Sequence, residues 1–102
     1  MKKLFISQPM RFLTFEEILK AREEIKNRAE KTIGEPLELI NYFIEDYPGE
    51  FTKSMSVWCL GKSIQSLSQA DIAYFGGDWR NARGCIIEYE IAIAYEIKVI
   101  TE

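Results

Sequence analysis

Two rhythms of apolar and polar positions alternate along this chain: short unbroken apolar runs, and longer stretches with apolar residues three and four apart. The first run, Lys3-Leu-Phe-Ile-Ser7, ends at Gln8-Pro9 and predicts a buried strand passing into a loop. From there the rhythm changes. Phe15, Ile18, Leu19, Arg22, Ile25 and Ala29 follow helical spacing, and Gly34 stops it. Thr14 is placed to cap this helix, with Glu17 as the return partner of a capping box and Leu13 and Ile18 as a hydrophobic staple. Pro36 to Asn41 predicts a second strand, and Tyr42 to Thr52, with Pro48-Gly49 and several acids, a loop. Val57, Trp58, Gly61, Ile64 and Leu67 give a second helix closing near Ala70. Asp71-Ile-Ala-Tyr-Phe75 is the third strand, broken by Gly76-Gly77. A largely apolar helix runs from Ala82 to Glu96, and Lys98-Val-Ile-Thr101 closes as a short strand.

Strands alternating with helices imply a parallel sheet covered on both faces. The expectation is one small three-layer α/β domain over residues 1–102, Rossmann-like and of flavodoxin type, with about four parallel strands. Ligands of such open sheets bind outside the carboxyl ends of the strands, near the switch in strand order. That places a site around Ser7 to Met10, Phe75 to Arg83, and the start of the last helix.

Composition narrows the chemistry. A net charge of -3 without a basic stripe argues against a nucleic-acid polymer as partner. The run Leu4 to Ile6 is too short for a signal-peptide core or a membrane span, so a cytoplasmic protein without membrane attachment is expected. A chain of 102 residues has a poor surface-to-volume ratio, which favours self-association. There is no histidine, which removes Ser-His-Asp and Cys-His mechanisms and the usual zinc sites. Cys59 and Cys85 fall in helical segments without ligand-like spacing and read as free thiols in a reducing compartment. No metal or organic cofactor is implied. Catalysis must rest on carboxylates, tyrosines, lysines or backbone dipoles.

The segment Gly76-Gly-Asp-Trp-Arg-Asn-Ala-Arg-Gly84 follows a strand, precedes a helix, and combines three glycines with two arginines. It suits an anion held at a helix N-terminus with help from Arg80 or Arg83, and equally a tight strand-to-helix turn with solvated arginines. Trp79 is placed either to stack on a base or sugar, or to pack against the sheet edge or a second subunit. Trp58 falls on the apolar spacing of its helix and reads as core. Asp71, at the head of a buried strand, is a candidate to cap a helix, to hydrogen-bond a ligand hydroxyl, or to stand in a turn beside Ala70. Glu88 and Glu90 flank the apolar stripe of the last helix, one on each rim. Either is placed to be a nucleophile or general base, and helical spacing does not choose between them.

Several short motifs in this order resemble the nucleoside 2-deoxyribosyltransferase-like family. Phe5-Ile-Ser-Gln-Pro9 matches its opening Tyr-Leu-Ala-Gly/Ser-Pro strand and loop. Gly84-Cys-Ile-Ile-Glu88 has the Gly-to-Glu spacing of its last helix, with Ala92, Ala94 and Val99 in register behind. Asp78-Trp79 is similar to the Gly-Trp found before that helix in a sub-branch of short bacterial and phage members. The resemblance spans nearly the whole chain. It implies cleavage or transfer of an N-glycosidic bond of a nucleoside or nucleotide without a cofactor. Glu88 would be the nucleophile and Asp71 the strand aspartate near the substrate. Ser7, Gln8, Pro9 and Met10 would form the loop approaching base or sugar. Gly77, Trp79, Arg83 and Gly84 would complete the substrate site, the last two as candidates for a 5′-phosphate. A homodimer or larger homo-oligomer is implied as well. The family pattern is departed from in two places. Lys62-Ser63 stand where an Arg-Asp pair is usual, and Cys85 replaces a threonine. The alternative reading is a binding module that sequesters a nucleotide-derived ligand without turning it over.

Overall fold

The computed structural model describes residues 1–9, 13–40 and 53–102. The expected loop at Tyr42 to Thr52 and the expected site residue Met10 lie outside the described residues. Strand β1 (Lys2–Ser7) is followed by helix α1 (Phe15–Ile33), strand β2 (Leu37–Leu39), helix α2 (Met55–Leu67), strand β3 (Ile72–Phe75), helix α3 (Arg83–Ala94) and strand β4 (Lys98–Thr101). A single 3-10 turn, Trp79–Asn81, joins β3 to α3. The strands form one parallel sheet in the order β2-β1-β3-β4. This is the small Rossmann-like α/β domain that the alternation of periods implies.

Local chemistry sets the boundaries. Both halves of the α1 capping box form: the Glu17 amide donates to Thr14 Oγ1, and the Thr14 amide to Glu17 Oε1, each at 3.1 Å. Gly34 ends the helix in the left-handed conformation, its amide donating to the Glu30 carbonyl at 2.8 Å. Helix α2 starts two residues before the expected Val57, because Ser54 caps it through the Val57 amide. Helix α3 stops before the expected Glu96, which takes φ 60°. The Ile97 amide there reaches the Ala92 carbonyl at 2.9 Å and the Glu96 amide the Ile93 carbonyl at 3.3 Å, a Schellman ending without glycine.

The sheet separates two apolar layers. Leu4, Ile6, Ile72 and Tyr74 face α1 and meet Ile25 and Ala29. Phe5, Ala73 and Phe75 face the other way and meet Leu67 of α2 and Cys85 and Ala92 of α3. Strand alternation therefore sends Ser7, in phase with Phe5, toward α2 and α3. Among the described residues, no helix is long and apolar enough to cross a membrane.

Candidate functional site

Crossovers from β1 lead outward to β2, and the crossover from β2 returns past β1 to β3, so the order switches between β1 and β3. In parallel α/β sheets this crevice, at the carboxyl ends of the strands, receives ligands. Here a cleft of about 520 Å³ opens between the end of β1, the first turns of α3, and α2. Its floor is Ser7 and Glu88. Both are nearly inaccessible, 2 % and 6 % exposed, and the Ser7 hydroxyl donates to Glu88 Oε1 at 2.8 Å. Burial pushes the Glu88 carboxyl up to about 7, and the Ser7 hydrogen bond opposes that rise. Burial likewise raises the Cys85 thiol; its hydrogen bond with Ser7 works against this, and the nearby Glu88 carboxylate adds to it.

Gln8, Arg83 and Gly84 join Ser7 and Glu88 at the cleft wall. Gln8 Nε2 is buried there without a hydrogen-bond partner, an unmet donor of the kind a ligand acceptor satisfies. Helix α3 turns Glu88 inward and leaves Glu90 exposed, which separates the two glutamates that helical spacing left equivalent.

Other expected residues stand elsewhere. Asp71 is at the amino end of β3, at the opposite edge of the sheet from Glu88. Its carboxylate accepts from the Lys3 amide at 2.7 Å, and its own amide donates to the Lys3 carbonyl at 2.9 Å. The expected role near the substrate is therefore corrected: residues that begin parallel strands sit away from the carboxyl edge. Trp79 is also not in the cleft. It is 5 % exposed and packs against both Phe75 and Tyr89, with ring centroids 5.3 and 4.8 Å away, while the Arg80 guanidinium covers it at 4.5 Å. The expected stacking on a ligand gives way to an aromatic core cluster. Gly77 lies outside the cleft wall too, as a left-handed turn residue (φ 62°) whose amide donates to Glu102 Oε1 at 3.1 Å. Pro9 abuts it: a Cβ added at Gly77 would lie 3.6 Å from the Pro9 ring.

The α2 wall was not anticipated as a whole. Ser54, Ser56, Val57, Leu60 and Ser63 line the cleft at helical spacing. Topology contains the missing signal, since each crossover helix of a parallel sheet begins at the carboxyl edge. Ser54 before an apolar helical pattern marks that beginning. Ser63 of α2 lines the cleft, and Glu88 is the one carboxylate among the described residues lining it. Among the described residues, no group of three or more histidine, cysteine, aspartate or glutamate side chains could hold a metal ion. The arrangement offers one buried carboxylate of raised affinity for protons, a donor fixed against it, and a wall of small hydroxyls and apolar side chains.

No protein-family model, curated protein or solved structure matches this chain.

Proposed function

We propose that this chain cleaves or transfers the N-glycosidic bond of a nucleoside or nucleotide, in the manner of the nucleoside 2-deoxyribosyltransferase-like family that its motifs resemble. One observation carries the reading: the glutamate at the matching position is buried on the floor of the switch-point cleft and fixed by Ser7. A Glu88 carboxylate oxygen attacks the anomeric carbon as the carbon–nitrogen bond breaks. The base leaves with the bonding electron pair and takes a proton from water in the cleft. Attack of water or of a second base at the same carbon then breaks the glycosyl ester and frees Glu88. Arg83 and the opening turn of α3 are the candidates for a 5′-phosphate, and the substrate enters without a cofactor. The resemblance extends the proposal to a homodimer or larger homo-oligomer, which sedimentation tests.

A second reading is favoured by Ser63. With a hydroxyl where the family has a carboxylate, the cleft lacks a second acid among its described residues, and base departure loses general-acid help. A module that binds a nucleotide derivative without turnover fits this feature. Free base measured by chromatography, beside melting temperature with the same ligands, separates the two. Base release supports the enzyme, whereas a ligand-induced rise in melting temperature without release supports the binder.

A further inference from the structure

We propose that Ser7 is the positioning residue for Glu88, fixing one carboxylate oxygen so that the other is presented to the cleft. The proposal deepens the reading of Glu88 as the attacking group and rests on it for its catalytic meaning. Its structural content stands on three observations.

First, Ser7 is held as few surface residues can be. It pairs with Phe75 across β1 and β3, and its carbonyl accepts from the Gly76 amide at 2.9 Å. A side chain of one carbon and one oxygen on so fixed a backbone has only its staggered rotamers to choose from. A site built on a strand is more accurate than one on a loop.

Second, the hydroxyl is costly where it lies. Its neighbours on that face of the sheet are Phe5, Ala73 and Phe75, and alanine would pack there without burying a polar group. A hydroxyl and a carboxylate buried together contribute little net stability, since desolvation offsets most of what their mutual bond returns. Packing alone does not explain the pair.

Third, the hydroxyl answers to both polar groups on the adjoining turn of α3, Glu88 and Cys85. Among the described residues, the other charged or titratable groups lining the cleft are Arg83 on α3 and Cys59 on α2. The hydrogen bond is therefore the sheet's own hold on the carboxylate. It favours the charged form, the one able to attack.

The test is a titration of Glu88 that needs no substrate. Protein labelled with carbon-13 at glutamate side-chain carboxyls is followed by NMR from pH 4 to 10, with Glu88→Gln assigning the resonance. Wild type should titrate at about 7. Ser7→Ala should move the midpoint up by about one pH unit, the size of one lost hydrogen bond to a charged group. Ser7→Thr, which keeps the donor, should restore it. Ser7→Cys, near in size but a weak donor, should behave as Ser7→Ala and covers the case in which the alanine protein does not fold. In base release, Ser7→Ala should lower kcat roughly tenfold with KM little changed, as expected for lost orientation. A Glu88 midpoint indifferent to Ser7→Ala and Ser7→Cys in folded protein would overturn the proposal. A midpoint that follows Ser7 in a protein releasing no base supports the positioning role while removing the glycosidic activity.

Discussion

Asp71 and Glu88, the two carboxylates expected to share a site, stand at opposite ends of the same parallel sheet. Asp71 ties the start of β3 to the Lys3 amide, while Glu88 closes the far end against Ser7. The first is a link between strands and the second a group set in a cleft.

Asp71→Asn should therefore leave any turnover or ligand binding unchanged. Its cost is to stability, about 1 kcal/mol for weakening one charge-assisted hydrogen bond to a backbone amide. Denaturant unfolding beside a steady-state assay checks this. Loss of activity at unchanged stability would return Asp71 to the site.

The same contrast shows what the sequence made legible. Alternating periods gave the layers and the four parallel strands, and the Thr14 and Gly34 signals gave α1 almost to the residue. Helical spacing alone left Glu88 and Glu90 equivalent; only packing of α3 on the sheet turns one in. Asp71 was carried toward the substrate by the resemblance alone, whereas a residue that begins a parallel strand lies at the amino edge, where Asp71 holds the Lys3 amide. Of the two placements open to Trp79, packing is the one realised, and nothing local chooses it: Phe75 and Tyr89, one before it on β3 and one after it on α3, close on its ring. The α2 wall escaped because its residues gain meaning only when α2 is laid beside α3.

Glu88 makes stability depend on pH in a direction fixed by the sign of its shift. Its folded value of about 7 lies above the ordinary 4.5. The folded state thus holds the proton more tightly than the unfolded chain, and this contribution is fully present below pH 4.5. It is lost as pH rises from there to about 7, by about 3 kcal/mol in total. Glu88→Gln should remove that dependence and leave the protein more stable than wild type at pH 8. Urea unfolding at pH 5 and pH 8 measures it, and equal pH slopes for the two proteins would contradict it.

Trp79 and Arg83 should respond to substitution in opposite ways. Trp79→Ala should cost about 3 to 5 kcal/mol of stability, as removal of a buried aromatic side chain does. Arg83, exposed at the cleft mouth, should tolerate alanine with stability changed by less than about 0.5 kcal/mol. On the proposed function, Arg83→Ala weakens binding of 5′-monophosphates and spares nucleosides. Calorimetric titration with one of each pair decides the matter.

The end of α3 predicts a stabilising change. Glu96 occupies the left-handed position of a Schellman ending, where glycine carries no Cβ penalty. Glu96→Gly should raise stability by about 0.5 to 1 kcal/mol, offset in part by the greater freedom of glycine in the unfolded chain. A rise in the urea midpoint at unchanged slope is the expected result.

The central claim is that Glu88 attacks the sugar carbon of an N-glycosidic bond. Wild-type and Glu88→Gln proteins, incubated with nucleosides, deoxynucleosides and their 5′-monophosphates and followed for free base, test it most directly. Wild type should release base from at least one of these, at a rate rising with pH through about 7 as Glu88 ionises, and the glutamine variant should release none. Release that survives Glu88→Gln, or a wild type that releases no base from any of them, would contradict it.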